Sequence, residues 1–228
     1  MLIEIINSFL EINTDNVEHN NSLIIDAAKY GSTGLFKKLL GNPLNNPAWC
    51  SNQAIINASY YGNYDIVKLL IKNPLVNPAA QNNQAIINAS FNKHINIVKK
   101  LLEDPRVDPS DQNNQAIINS ADSYKLFKLF YDDPRTNPAD QNNKLIIDAN
   151  YNGCTRIVNT LLRDERVDPS AQNNELFISS CLNNNTQLVK KLLNNPIINP
   201  FDQNNIVSTF NLNNNIRNIL NNISVLMH

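Results

Sequence analysis

The side chains best suited to acid–base, nucleophilic or metal chemistry are three histidines, His19, His94 and His228, and three cysteines, Cys50, Cys154 and Cys181. A metal site or a catalytic triad needs its groups gathered at one place. The histidines and cysteines fall at non-equivalent positions along the chain, and no C-x-x-C pair is present. His94 lies in a turn between two apolar runs. An odd number of cysteines without a recurrent spacing argues against a disulfide framework and fits a reducing, intracellular and cytoplasmic compartment. The chain also lacks a glycine-rich phosphate loop and a recurring pair of acidic residues in a pocket-forming context. No cofactor, no metal and no enzymatic activity are therefore expected.

The elements that would position any functional group are copies of a single unit. The stretch N-P-A-A-Q-N-N-Q-A-I-I-N-A-S begins at Asn77 and returns in related form at Asn46, Asp108, Asn137, Asp168 and Asn199. Its prolines, Pro47, Pro78, Pro109, Pro138, Pro169 and Pro200, are spaced 31, 31, 29, 31 and 31 residues apart. A period of that size marks a solenoid or a propeller. The apolar pattern decides for helices, because each unit carries two runs of helical period. The first is a ladder: Leu23-Ile24-Ile25, Ala54-Ile55-Ile56, Ala85-Ile86-Ile87, Ala116-Ile117-Ile118, Leu145-Ile146-Ile147 and Leu176-Phe177-Ile178, each followed two residues later by Ala or Ser. The second pairs Ile66-Val67 with Leu70-Ile71, Ile97-Val98 with Leu101-Leu102, and likewise along the chain.

Turn chemistry separates these runs. Each second helix is stopped by a proline or charged turn, as at Asn73-Pro74, Asp104-Pro105, Asp133-Pro134 and Asn195-Pro196, since proline disfavours a helical residue before it. The Gln-Asn-Asn segments that follow are read as turns whose asparagines cap the next helix. The unit starting at Pro109 has lost two residues in its inner turn, where Ala121-Asp122-Ser123-Tyr124 runs into Leu126-Phe127, and a change of helix tilt is expected there.

A lone helix pair cannot bury its apolar face, so the units must stack. The fold class expected is an all-α helical repeat solenoid forming one domain over residues 1–228. Its parts are an N-terminal cap at 1–15, repeats at 16–46, 47–77, 78–108, 109–137, 138–168 and 169–199, and a C-terminal capping repeat at 200–228. The opening segment has an apolar run but carries Glu4 and no basic leader, so export is not expected. No segment reaches the roughly 18 to 20 apolar residues of a membrane span.

A short helix with an A-I-x-x-A core, a turn, and a longer I-V-x-x-L-L helix resemble ankyrin repeats. Ala85-Ile86-Ile87-Asn88-Ala89-Ser90 takes the place of that family's T-P-L-H-x-A-A segment, and Ile97-Val98-Lys99-Lys100-Leu101-Leu102 that of its V-V-x-x-L-L segment. The T-P-L-H signature itself is absent, and Asn side chains are expected to replace its hydrogen bonds. The D-P-x-V-D-P-S variant, with the richness in Asn and Ile, is similar to ankyrin-repeat proteins of giant amoebal viruses and amoebozoa.

The resemblance implies a non-catalytic module that binds a protein partner, possibly a host protein, on a concave groove lined by first helices and turn tips. The candidates on that face are the ladder Asp26, Asn57, Asn88, Asn119, Asp148 and Ser179, the aromatics Tyr60, Phe91 and Tyr151 one turn further on, and Trp49 on an adjacent turn. The competing reading packs the aromatics between units and gives the Asn row a structural role. The alternative surface is the lysine row of the second helices, among them Lys37, Lys38, Lys68, Lys99 and Lys190, facing an acidic partner or nucleic acid. A net charge of −1 disfavours it. Self-association through Asn-rich composition, or a degenerate repeat copy without specific function, are the remaining alternatives. A monomer is expected, with no membrane contact.

Overall fold

The computed structural model describes residues 16–200 and 212–226. The N-terminal cap expected at 1–15, residues 201–211 of the C-terminal capping repeat, and His228 lie outside these. Thirteen α-helices and no strand are found among the described residues. They are α1 (Val17–Tyr30), α2 (Thr33–Leu40), α3 (Trp49–Tyr61), α4 (Tyr64–Ile71), α5 (Ala80–Phe91), α6 (Ile95–Leu102) and α7 (Asp111–Ile118), then α8 (Tyr124–Tyr131), α9 (Asp140–Tyr151), α10 (Thr155–Leu161), α11 (Ala171–Leu182), α12 (Thr186–Leu193) and α13 (Asn214–Leu226).

The chain divides into two compact units, one of residues 1–120 with 128–136, the other of 121–127 with 137–228. In the first unit α1, α3, α5 and α7 pack in succession, and α2, α4 and α6 form a second row behind them. In the second unit α9 packs on α11, and α10 and α12 each pack on the first helix of their own repeat. The expected ladder is the core of both: Ile24, Ile55, Ile86, Ile117, Ile146 and Phe177 are buried, as are Leu39, Leu70, Leu101, Leu161 and Leu192. The small residues after the ladder, such as Ala58, Ser59, Ala89 and Ser90, are buried too. The division between units falls at Ser120 and Ala121, in the turn that lost two residues, and α7 there spans 8 residues where α5 spans 12.

The Gln-Asn-Asn segments do something the sequence does not announce. Cys50-Ser51-Asn52, Gln81-Asn82-Asn83, Gln112-Asn113-Asn114, Gln141-Asn142-Asn143 and Gln172-Asn173-Asn174 all have φ between 51 and 68°. Each is one left-handed turn at the head of a right-handed helix, closed by a bond such as Asn83 N–H to the Ala79 carbonyl at 3.0 Å. A left-handed turn costs an ordinary residue roughly 1–2 kcal/mol, a penalty that asparagine tolerates best among non-glycine residues. The expectation that these asparagines cap the next helix is corrected for Asn52, Asn83 and Asn143, whose side chains make no bond to the backbone of their own helix.

Their side chains connect neighbouring repeats instead. Asn52 Oδ1 accepts from Asn77 N–H at 2.7 Å, Asn83 Oδ1 from Asp108 N–H at 2.8 Å and Asn143 Oδ1 from Asp168 N–H at 2.8 Å. Gln112 Nε2 donates to the Asn82 carbonyl at 3.0 Å, and Gln172 Nε2 to Asn142 in the same way. Asparagine side chains thus tie the turn that opens one repeat to the head of the preceding first helix.

The turns after the second helices are equally regular. Asn42, Asn73, Asp104, Asp133, Asp164 and Asn195 each accept the backbone N–H two residues on at 3.0 Å. Where the acceptor is Asp, the residue two on is Arg, and its guanidinium folds back on the carboxylate. Arg106 and Arg135 also reach the Val76 and Val107 carbonyls of the preceding repeat, at 2.9 and 2.8 Å. The hydrogen bond from Arg106 holds the Asp104 carboxyl below its usual range against an opposing effect of burial.

A carboxyl whose pKa is depressed by folding stabilises above its unfolded value of about 3.9, and the contribution is lost as pH falls through the folded value. Below pH about 4, Asp104→Asn is therefore expected to melt closer to wild type than it does at pH 7. The gap at pH 7 is expected to be about 1 kcal/mol or less, because the Arg106 side chain is 42% exposed. Paired thermal melts at the two pH values check both points.

Candidate partner-binding surface

The exposed face of the first helices is set by helical spacing. Gln53, Asn57 and Tyr60 lie four and three residues apart on α3, as do Gln84, Asn88 and Phe91 on α5, so each trio shares a face. Tyr60 is 41% exposed and Phe91 61% exposed. Tyr60 stacks edge-on against exposed Tyr61, with ring centroids 4.9 Å apart. One repeat earlier the same register is Lys29, whose Nζ stands 5.0 Å from the Tyr30 ring centroid and 6.0 Å from that of Tyr61.

The amide row is half-buried and internally bonded. Gln53, Gln84 and Gln115 each donate through Nε2 to the Oδ1 of Asn57, Asn88 and Asn119 at 2.7 Å. Asn119 Nδ2 also donates to the Ile87 carbonyl at 3.2 Å. Asp26, at the head of this row, is exposed. In the second unit Lys144 pairs with Asp148 at 2.9 Å, and Tyr151 is 58% exposed, its hydroxyl bonded to Glu175. Ser179 is buried against Asn150, which bonds its Oγ at 3.0 Å. Trp49 does not join the aromatics: it is half-buried and begins α3, while Tyr60 stands near that helix's far end.

The inner turns hold this face in place. Asn63 Nδ2 donates to the Ala28 and Lys29 carbonyls at 2.7 and 3.0 Å, and His94 Nε2 bonds the Tyr60 carbonyl at 3.0 Å. Both contacts require a glycine opposite. Gly31 and Gly62 have φ of 74 and 82°, and a Cβ on either would meet Asn63 Oδ1 or His94 Cε1 at 2.6 Å. His94 is thus a structural contact directly behind Tyr60.

Residues 24–113 match a family model of ankyrin repeats. The match comprises three copies and runs from α1 into α7. None of the curated proteins matches the chain. Beyond the matched ankyrin repeats, α9 to α12 carry the same helix pairs and the same left-handed turns, so the architecture is all-α and ankyrin-like in both units.

The chemistry-bearing residues stay dispersed. Cys181 is buried, which pushes its thiol up to about 12, while Cys50 is exposed and Cys154 half-buried. Among the described residues no three His, Cys, Asp or Glu side chains cluster as a metal site would require. No helix among them is long and apolar enough to cross a membrane. The lysine row of the second helices is partly neutralised by its own neighbours, with Lys100 on Glu103 at 2.6 Å and Lys128 on Asp132.

Proposed function

We propose that the chain is a non-catalytic protein-binding module whose partner lies across the first-helix face of its ankyrin repeats, centred on Tyr60 and Phe91. The observation that carries this reading is that two large aromatic side chains, 41 and 61% exposed, occupy the same register of adjacent repeats. Exposed aromatics backed by a rigid scaffold supply area at small entropic cost and are enriched among residues that dominate binding energy. Ankyrin repeats are in general protein-interaction modules, which supports the same reading. The module acts by occupancy, as a monomer. The D-P-x-V-D-P-S variant supports a viral or amoebal setting in which the partner is a host protein.

The test is affinity capture with wild type and with Tyr60→Ala/Phe91→Ala, the two matched in helicity by circular dichroism. A protein retained by wild type and lost by the variant is the expected result. Identical captures from both would end the reading and leave the lysine face as the next surface to probe.

A further inference from the structure

Building on the first-helix face as the binding surface, we propose that its occupant is a proline-rich segment in the polyproline II conformation, with a proline at every third position. The first support is an excess of donors. In each Gln–Asn pair the asparagine Oδ1 is already taken by the glutamine, at 2.7 Å in both Gln53–Asn57 and Gln84–Asn88. What Asn57 and Asn88 still offer is the Nδ2 group, which has no acceptor among the described residues. The row of open donors ends at Asn119, whose Nδ2 is bonded to Ile87. Of the acceptors on the four amides, Gln84 Oε1 already accepts from Gln112 Nε2 at 3.4 Å and Gln53 Oε1 stays open, so donors outnumber acceptors on this face. Such an excess suits a backbone rich in carbonyls and poor in N–H groups. Proline lacks the N–H, and polyproline II leaves its carbonyls without internal partners.

The second support is the period. Packed helices stand about 8 to 10 Å apart, and α3 packs on α5. A polyproline II helix turns once per three residues, about 9 Å, so every third residue of the ligand would meet the next repeat. Same-face residues of a β-strand recur at about 6.8 Å and turns of an α-helix at about 5.4 Å, and neither keeps this register. Tyr60 and Phe91, three residues beyond each open donor, give the aromatic lining on which proline rings dock. The four amide residues are uncharged, so a neutral segment binds with little desolvation cost. Toward α1 the row continues with Lys29 and the exposed Asp26, whose opposite charges favour no charged ligand residue at that position.

The test is fluorescence anisotropy on the full chain with two labelled peptides of one composition, one with prolines at every third residue and one with prolines at every fourth. The proteins are wild type, Tyr60→Ala/Phe91→Ala, and Asn57→Asp/Asn88→Asp. The last pair keeps the acceptor for Gln53 and Gln84 but removes the donors, and the chain already carries Asp26 and Asp148 at this register.

We expect the third-residue peptide to bind wild type at least about tenfold more tightly than the fourth-residue peptide, and each double variant to lose about tenfold or more. Equal affinity for both peptides, no binding of the third-residue peptide at millimolar concentration, or an unchanged affinity in Asn57→Asp/Asn88→Asp would overturn the polyproline II occupant. Partner capture that still depends on Tyr60 and Phe91 would then leave the binding face standing with a different ligand. Capture independent of them would remove both.

Discussion

Replacing Ile86 or Leu101 by alanine is expected to destabilise the first unit by about 2 to 5 kcal/mol, as cavity-forming core truncations do. Both side chains are fully buried, Ile86 on α5 and Leu101 on α6. Burial of such a side chain is worth about 1.5–3 kcal/mol by transfer from water, and the cavity adds to the loss because the surroundings collapse only partly. Collapse is hindered here because α5 is held on both sides, by α3 and α7. Ile86→Val removes one methylene and is expected to cost only about 0.5–1.5 kcal/mol. Leu102, half-buried on the same helix as Leu101, should lose less when truncated. Urea denaturation followed by helical circular dichroism gives the order. A midpoint unchanged by both alanine variants would mean that the ladder is not the core.

The ladder was legible because its signal is redundant: six units repeat the same apolar spacing, and only a helix turns that spacing into one face. The Asx-Pro turns were legible for a similar reason, since proline limits the backbone on both sides of it. Handedness was not. Gln-Asn-Asn has the composition of a cap, and His19-Asn20-Asn21 stands at the corresponding place in α1, where the helix contains no positive-φ residue. The left-handed turns of α5, α7 and α11 each sit against an earlier turn whose backbone carbonyl accepts their glutamine. That is tertiary information. Exposure of Tyr60 and Phe91 was undecidable for the same reason: an aromatic at the end of a helix can face the neighbouring repeat or the groove. Trp49, expected on an adjacent turn, has instead the register of Ala80 and Asp111, at the opposite end of the helix.

Substitution of Asn83 by leucine is expected to cost about 2 to 5 kcal/mol. Two losses contribute. Asn83 Oδ1 accepts from Asp108 N–H at 2.8 Å and Nδ2 donates to Asp111 Oδ2 at 2.9 Å, so leucine leaves both partners without this bond at a site that is only 5% exposed. Asp108 is exposed and Asp111 half-buried, so each lost bond costs about 0.5–1.5 kcal/mol. Leucine must also hold φ near 58°, where an ordinary side chain adds about 1–2 kcal/mol. Asn83→Gly separates the two, because glycine accepts the backbone geometry but makes neither bond. It should therefore fall between wild type and leucine. Asn82→Gly is the complementary control: Asn82 is exposed with φ 55°, and only its carbonyl serves the next repeat, so stability should hold or rise by less than about 1 kcal/mol. If Asn83→Gly and Asn83→Leu unfolded at the same urea concentration, the left-handed turn would carry no side-chain penalty, and the recurrence of asparagine there would reflect its hydrogen bonds alone. If Asn83→Gly matched wild type, the bond to the next repeat would contribute nothing, and the coupling between repeats would have to reside in the apolar ladder.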